Sequence, residues 1–156
     1  METLIDENVE FTSSEPIYDF YVAGPFFTNT EVESMERLEK VLQDRHKKLF
    51  MPRFAGGQDS IAEDGGKAVF AKDVQAIRNS KAIIANLVDD DPGTLFEIGY
   101  AYALGKPVYL YNEGMEPGAK MNLMLVRSAK VILTGPADLE ALLDSGEFEA
   151  VDVTIY

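Results

Sequence analysis

Glu97 is an acid set in a helical stripe of other character: three, four and seven residues on come Tyr100, Ala101 and Leu104. A carboxylate so placed is either a partly buried functional group or a glutamate at the edge of the stripe. Just before it, Asp89-Asp90-Asp91-Pro92-Gly93 offers an aspartate as helix N-cap and a proline for the first helical position. A further acid, Asp73, falls three residues after Phe70 and four before Ile77, on the face that carries the core-directed side chains. It is either functional or a structural carboxylate, acting as a buried cap or paired with Lys72 or Arg78. Carboxyl groups held in different environments can differ in charge, one ionised and another protonated. Closeness to a helix N-terminus favours the charge of Glu97, and burial favours the neutral form of an aspartate. Other chemistries are poorly served. There is no cysteine, which excludes thiolate catalysis and cysteine-based zinc sites. The single histidine, His46, lies among Arg45, Lys47 and Lys48 where a helix frays, which argues against a Ser-His-Asp triad.

The elements that must position these acids alternate. Residues 17–23 are rich in aromatic and β-branched types and stop at Gly24-Pro25, as a buried first strand does. The next two residues, Phe26 and Phe27, form an apolar loop tip that should line a pocket or a subunit contact. An amphipathic helix follows over residues 30–45, with Val32, Met35, Leu38, Val41 and Leu42 at helical spacing. A short strand over 49–51 is broken by Pro52, and the glycine-bearing stretch to Lys67 reads as a binding loop or lid. Its glycines match neither a Walker A nor a dinucleotide fingerprint. Gln58 within it is either a ligand-contacting amide or a solvated loop residue. The pattern then predicts a helix over 68–79, a strand over 82–88, the Glu97 helix ending at Gly105-Lys106-Pro107, and a strand over 108–111. Beyond a loop at 112–120 lie an apolar segment over 121–126, a last core strand over 130–134, a short acidic helix over 136–143, and a strand-like terminus over 151–156.

Near-continuous apolar strands separated by helices indicate an α/β fold: a single-domain open, mainly parallel five-stranded sheet with helices on both faces, flavodoxin- or Rossmann-like. Ligands of such sheets bind beyond the carboxyl ends of the strands. That edge gathers residues 24–27, residues 89–93 and the loop after Tyr111, with Glu97 close by. Acids and aromatics converge there without a basic cluster, which suits a neutral, ring-containing molecule better than a polyphosphate.

The chain has 156 residues and a net charge of −13, unevenly placed. Residues 1–15 hold five acids and no bases, and residues 135–156 hold six acids and no bases. Residues 1–15 read as an acidic mobile arm preceding the domain at 16–156. Acidic ends and no basic cluster argue against nucleic acid as partner. No secretory signal or bilayer-spanning stretch is evident, and the expected location is cytoplasmic.

These residues, taken together, resemble the nucleoside 2-deoxyribosyltransferase family. The matching pieces are residues 21–27 after the first strand, Asp73, Asp91 with residues 93–101, residues 122–124, and the terminal Tyr156. The resemblance implies that Glu97 is the nucleophile, that Tyr21 hydrogen-bonds and orients it, and that Asp73 and Asp91 handle the nucleobase and its proton. By the same resemblance Phe26 and Gln58 contact the substrate, Asn122 and Met124 complete a neighbouring subunit's site, and Tyr156 closes the pocket. The implied substrates are 2-deoxynucleosides and free purine or pyrimidine bases. The implied assembly is a homo-oligomer, and no metal or organic cofactor is needed. Two rivals remain. One is an N-glycoside hydrolase of deoxynucleosides or their 5′-monophosphates on the same fold, although a phosphate would want arginine, serine or glycine amides where the first loop has Gly-Pro-Phe-Phe. The other is a non-enzymatic nucleoside-binding module.

Overall fold

Strand β1 (Tyr18–Ala23) sets the layering. Successive strand residues point to opposite faces, and in β1 both sets are buried: Phe20 and Val22 on one side, Tyr21 and Ala23 on the other. Such a strand has to be covered twice. Helices α1 (Asn29–Asp44) and α7 (Pro136–Ser145) cover the first face with Met35, Leu38, Leu42 and Leu139. Helices α4 (Lys67–Arg78) and α5 (Pro92–Ala103) cover the second with Ala76, Ile77, Ile98 and Ala101. Tyr21 therefore points toward the layer that carries Asp73 and Glu97. These features belong to a computed structural model that describes residues 15–56 and 59–156. The expected N-terminal arm lies outside the described residues except for Glu15, and Gln58 also lies outside them.

The main sheet has the order β2-β1-β3-β4-β6, and all its pairings are parallel. Its other strands are β2 (Leu49–Phe50), β3 (Ser80–Asn86), β4 (Val108–Tyr111) and β6 (Val131–Leu133). The five-stranded parallel architecture with helices on both faces is as expected. Strand order reverses between β1 and β3, and such a switch point is where α/β sheets open a crevice for a ligand.

Two differences from the expected element map matter. The stretch after Pro52 is not a continuous loop; it contains two short helices, α2 (Pro52–Ala55) and α3 (Asp59–Asp64). The apolar segment at 121–126 divides: β5 (Ala119–Met121) is followed by α6 (Leu123–Ser128), with Asn122 as N-cap accepting the Met124 amide at 2.9 Å. A capping side chain ends one element and starts the other. The terminal strand β7 (Val153–Ile155) pairs in parallel with β5 in a separate two-stranded sheet. Among the described residues no helix is long and apolar enough to cross a membrane.

Local chemistry fixes the two segments that meet at the switch point. At the start of α1, Thr28 and Glu31 form a capping box. Glu31 Oε1 accepts the amides of Phe27 at 2.9 Å and Thr28 at 3.0 Å, which pins the turn that follows Phe26. Gly24, with φ +155°, leaves β1 where a side chain has no space: a Cβ there would lie 3.0 Å from Asn86 Cβ and closer still to Met35 Sδ. On the facing segment, β3 runs through a 3-10 turn (Val88–Asp90) in which Asp89 (φ 59°) and Asp90 (φ 47°) adopt left-handed backbone. Short polar side chains tolerate that conformation better than most. Asp91 then caps α5, its Oδ2 accepting Thr94 N at 2.9 Å and Thr94 Oγ1 at 3.0 Å, with Pro92 in the first turn.

Candidate active site

The crevice at the switch point is a cavity of about 550 Å³. One side is the run from Gly24 to Phe27, another is Asp91, Gly93 and Glu97 of the α5 start, and the rest comes from Pro52, Gly56, Ile61, Ala62, Val69 and Asp73. Most of this lining is apolar. Its charged members are three carboxylates, and no lysine or arginine stands among the described lining residues.

Glu97 lies in the second turn of α5, and the hydroxyl of Tyr21, fully buried in β1, donates to its Oε2. Burial pushes the Glu97 carboxyl up to about 7, the negative charges of Asp73 and Asp91 add to the rise, and the Tyr21 hydrogen bond opposes it. Burial likewise raises Asp73 to about 6, against the pull of the neighbouring Lys72 ammonium. Burial thus acts on Glu97 as well as on Asp73, where the expectation had the helix N-terminus favouring the charge of Glu97. Glu97 lies beyond the first turn, where the influence of helix amides has faded, so desolvation governs it. Glu97 and Asp73 both hold a proton more readily than an ordinary carboxyl group.

The helix neighbours of Asp73 differ in burial. Ile77 is core, at 1% exposure, but Phe70 is 50% exposed and packs its ring on Phe96 at 5.8 Å. Asp73 aligns instead with Val69, four residues earlier, and both line the cavity. Phe26 also lines it, and its ring stacks on that of the exposed Phe27 at 5.3 Å. The loop after Tyr111 does not join this cavity. Its Glu113 binds Arg37 Nε at 2.8 Å and accepts from Ser34, and Asn112 faces a different hollow. Ile61 and Ala62 of α3, and Val69, were not singled out by sequence reasoning. Ordinary apolar residues on short or glycine-flanked helices carry no chemical signal of their own.

A family model described as nucleoside 2-deoxyribosyltransferase matches residues 20–124. The chain belongs to that family. Among solved structures, the 2-deoxyribosyltransferase of the psychrotolerant bacterium Bacillus psychrosaccharolyticus is 29% identical, with a TM-score of 0.63 over 78% of this chain and 89% of its own. A conserved protein from Enterococcus faecalis V583 shares the fold, at 21% identity and a TM-score of 0.53 over 86% of this chain and 80% of its own. A 2-desoxiribosyltransferase from Leishmania mexicana is 27% identical over 63% of this chain and 66% of its own, with a TM-score of 0.47. No curated protein sequence matches the chain. As a deoxyribosyltransferase-family protein it is a pentosyl-transferring enzyme, with nucleosides and bases as its substrate class. Membership in an enzyme family sets aside the purely binding module.

The remaining site candidates of this deoxyribosyltransferase sit elsewhere in the chain. Asn122, Met124 and Tyr156 line a second hollow of about 560 Å³ with Leu87, Asp90 and Lys120. Backbone bonds from Leu123 N to Tyr156 O, at 2.8 Å, and from Tyr156 N to Met121 O, at 3.1 Å, hold the terminus beside α6. The structure therefore brings together Tyr21, Phe26, Asp73, Asp91 and Glu97 as one group, and Asn122, Met124 and Tyr156 as another. Met124 is 74% exposed and Tyr156 68% exposed.

Proposed function

We propose that the enzyme exchanges nucleobases on 2-deoxyribose through a covalent glycosyl-Glu97 intermediate, with net retention, in nucleoside salvage. The observation that carries the reading is a tyrosine-bonded glutamate on the wall of an apolar cavity that holds two further carboxyl groups and, among the described lining residues, no cation. In the first half-reaction a Glu97 oxygen bonds to C1′ as the C1′–N bond breaks. The bonding pair leaves on the base, whose ring nitrogen takes a proton from the acid pair Asp73 and Asp91. A ring nitrogen of the second base then attacks C1′, its proton returns to that acid pair, and the C1′–O bond to Glu97 breaks. Two inversions at one carbon give retention.

The roles follow from surroundings. Tyr21 stabilises the ionised carboxylate, because its hydroxyl donates to it and opposes the effect of burial. Asp73, raised to about 6 by burial, carries a proton part of the time near neutral pH. Asp91 accepts both Thr94 bonds on Oδ2, which leaves Oδ1 for the base. The positive charge that develops on the sugar in the transition state favours the ionised Glu97. Phe26 and the apolar wall stack on or enclose the base. The absence of any cation among the described lining residues favours unphosphorylated nucleosides over monophosphates. Asn122 and Met124, exposed and lining a hollow other than their own chain's Glu97 cavity, complete the site of a neighbouring subunit, and Tyr156 closes the pocket.

The deciding experiment incubates the enzyme with deoxyinosine and adenine, and separately with deoxyinosine alone. Deoxyadenosine forming only in the first mixture is the expected result. Hypoxanthine release in both, with no new nucleoside, would establish a hydrolase instead. Glu97→Ala should abolish exchange while nucleoside binding persists. Unchanged exchange in that variant would remove Glu97 from the mechanism.

A further inference from the structure

Helix α2 contributes Pro52, and the residue after it, Gly56, also lies in the cavity wall, yet α2 has no buried residue. A four-residue helix that meets the core through the partly buried Ala55 has little length or burial with which to hold its own position. Two polar ties hold it. On one side Arg53 reaches back to α1, its Nη2 2.6 Å from Glu39 Oε1 and its Nη1 4.0 Å from Glu36 Oε1. On the other, the Lys72 ammonium of α4 donates to the carbonyl of Ala55.

The two ties are unequal. Lys72 is exposed, whereas the side chains of Glu39 and Arg53 are only 3% and 14% exposed. Neither oxygen of Glu39 nor Nε of Arg53 has a hydrogen-bond partner. The void they share with Phe26 and Pro52 has no room for a water molecule. Burial therefore pushes Glu39 up to about 6 even against the attraction of Arg53, with Glu36 adding to the rise. A buried ion pair adds little net stability over an apolar replacement, but removing one partner strands the other's charge. What such a pair supplies is placement, since moving α2 away would leave both the Glu39 and the Arg53 charge buried without its partner. Phe26 and Pro52 border both the void and the catalytic cavity, so the placement of the pair is passed directly to the wall.

We propose that the Glu39–Arg53 ion pair is the positioning device for the Pro52–Gly56–Phe26 wall and sets nucleoside affinity without touching the reacting atoms. The proposal rests on reading the cavity as the nucleoside site. Its test compares wild type with Arg53→Met, Arg53→Lys and the double variant Glu39→Leu/Arg53→Met. Three quantities are measured: KM and kcat for deoxynucleoside exchange, the melting temperature, and amide hydrogen exchange at residues 53–56.

Arg53→Met should raise KM about tenfold, or roughly 1.4 kcal/mol, with kcat within about twofold and faster amide exchange at 53–56. Arg53→Lys should recover most of the KM, because a cation again meets Glu39. The double variant should regain the melting temperature but not the KM, since an apolar pair fills the space without directing α2. An unchanged KM in Arg53→Met, or a double variant that recovers KM together with stability, would overturn the proposal. Amide exchange separates the two claims. If the wild-type enzyme fails to turn over nucleosides, the functional reading falls, and exchange at 53–56 that is unaltered in Arg53→Met sinks the positioning role on its own.

Discussion

The proposed chemistry turns on one hydrogen bond, from the buried Tyr21 to the partly buried Glu97. Tyr21 reaches Glu97 because Tyr21 and Ala23 of β1 face the layer of α4 and α5, so the pair is made by strand alternation and strand order. Replacing Tyr21 with Phe leaves the ring packed and removes the donor. Turnover should fall about ten- to a hundredfold, the size of one hydrogen bond to a charged group. The Glu97 carboxyl should also rise further, because the lost bond was the one lowering it. The acid limb of the kcat/KM profile should accordingly move to higher pH, and a profile that stays in place would disconnect Tyr21 from Glu97 ionisation.

Stability carries the same signature. Glu97 and Asp73 are raised above their ordinary values of 4.5 and 3.8 to about 7 and about 6. The folded chain thus keeps protons that the unfolded chain has released. Their contribution is fully present below about pH 4 and is lost as pH rises through about 7. Glu97→Gln should melt several degrees above wild type at pH 8, on the order of 2 kcal/mol, with the gap closing toward pH 4. A constant gap in melting temperature across that range would rule the account out.

At the scale of elements, the start of α5 does two jobs that can be separated. Asp91 is both a cap and a member of the cavity wall. Asp91→Ala should lose about 1 kcal/mol of stability with the cap. Asp91→Asn keeps an acceptor for the Thr94 amide, so it should retain the melting temperature while exchange still falls. Equal thermal loss in both variants contradicts the cap, and full turnover in Asp91→Asn contradicts the acid role. This start was legible in the sequence because Asp91-Pro92 is a local signal. The segment between Pro52 and Lys67 was not. α2 and α3 are too short to show a period, and α2 is held by Arg53 and Lys72 contacts to helices distant in sequence. The division of 119–128 into β5 and α6 was hidden likewise, since a run of Leu, Met and Val suits strand and helix alike until Asn122 is seen as a cap.

At the scale of the molecule, the candidate residues fall into two groups on separate hollows, a layout that shared sites between subunits would explain. Glu97→Ala and Asn122→Ala should each be inactive alone. Mixed, dissociated and reassembled, they should regain about a quarter of wild-type activity, because hybrid assemblies contain one site built from two intact halves. Mixtures that stay inactive although hybrids form would confine each site to one chain.

The sequence by itself determined the alternation of strands and helices, the cap before Glu97, the lack of thiol chemistry, and the absence of a basic cluster from the chain. All of these are local or compositional properties. Its resemblance to the deoxyribosyltransferases supplied the pairing of Tyr21 with Glu97. Only the tertiary structure decided how the acids share protons, because desolvation depends on what packs around a carboxylate. The same is true of which apolar side chains form the cavity wall, and of the assignment of Asn122 and Glu97 to different hollows, since both follow from contacts between residues far apart in sequence.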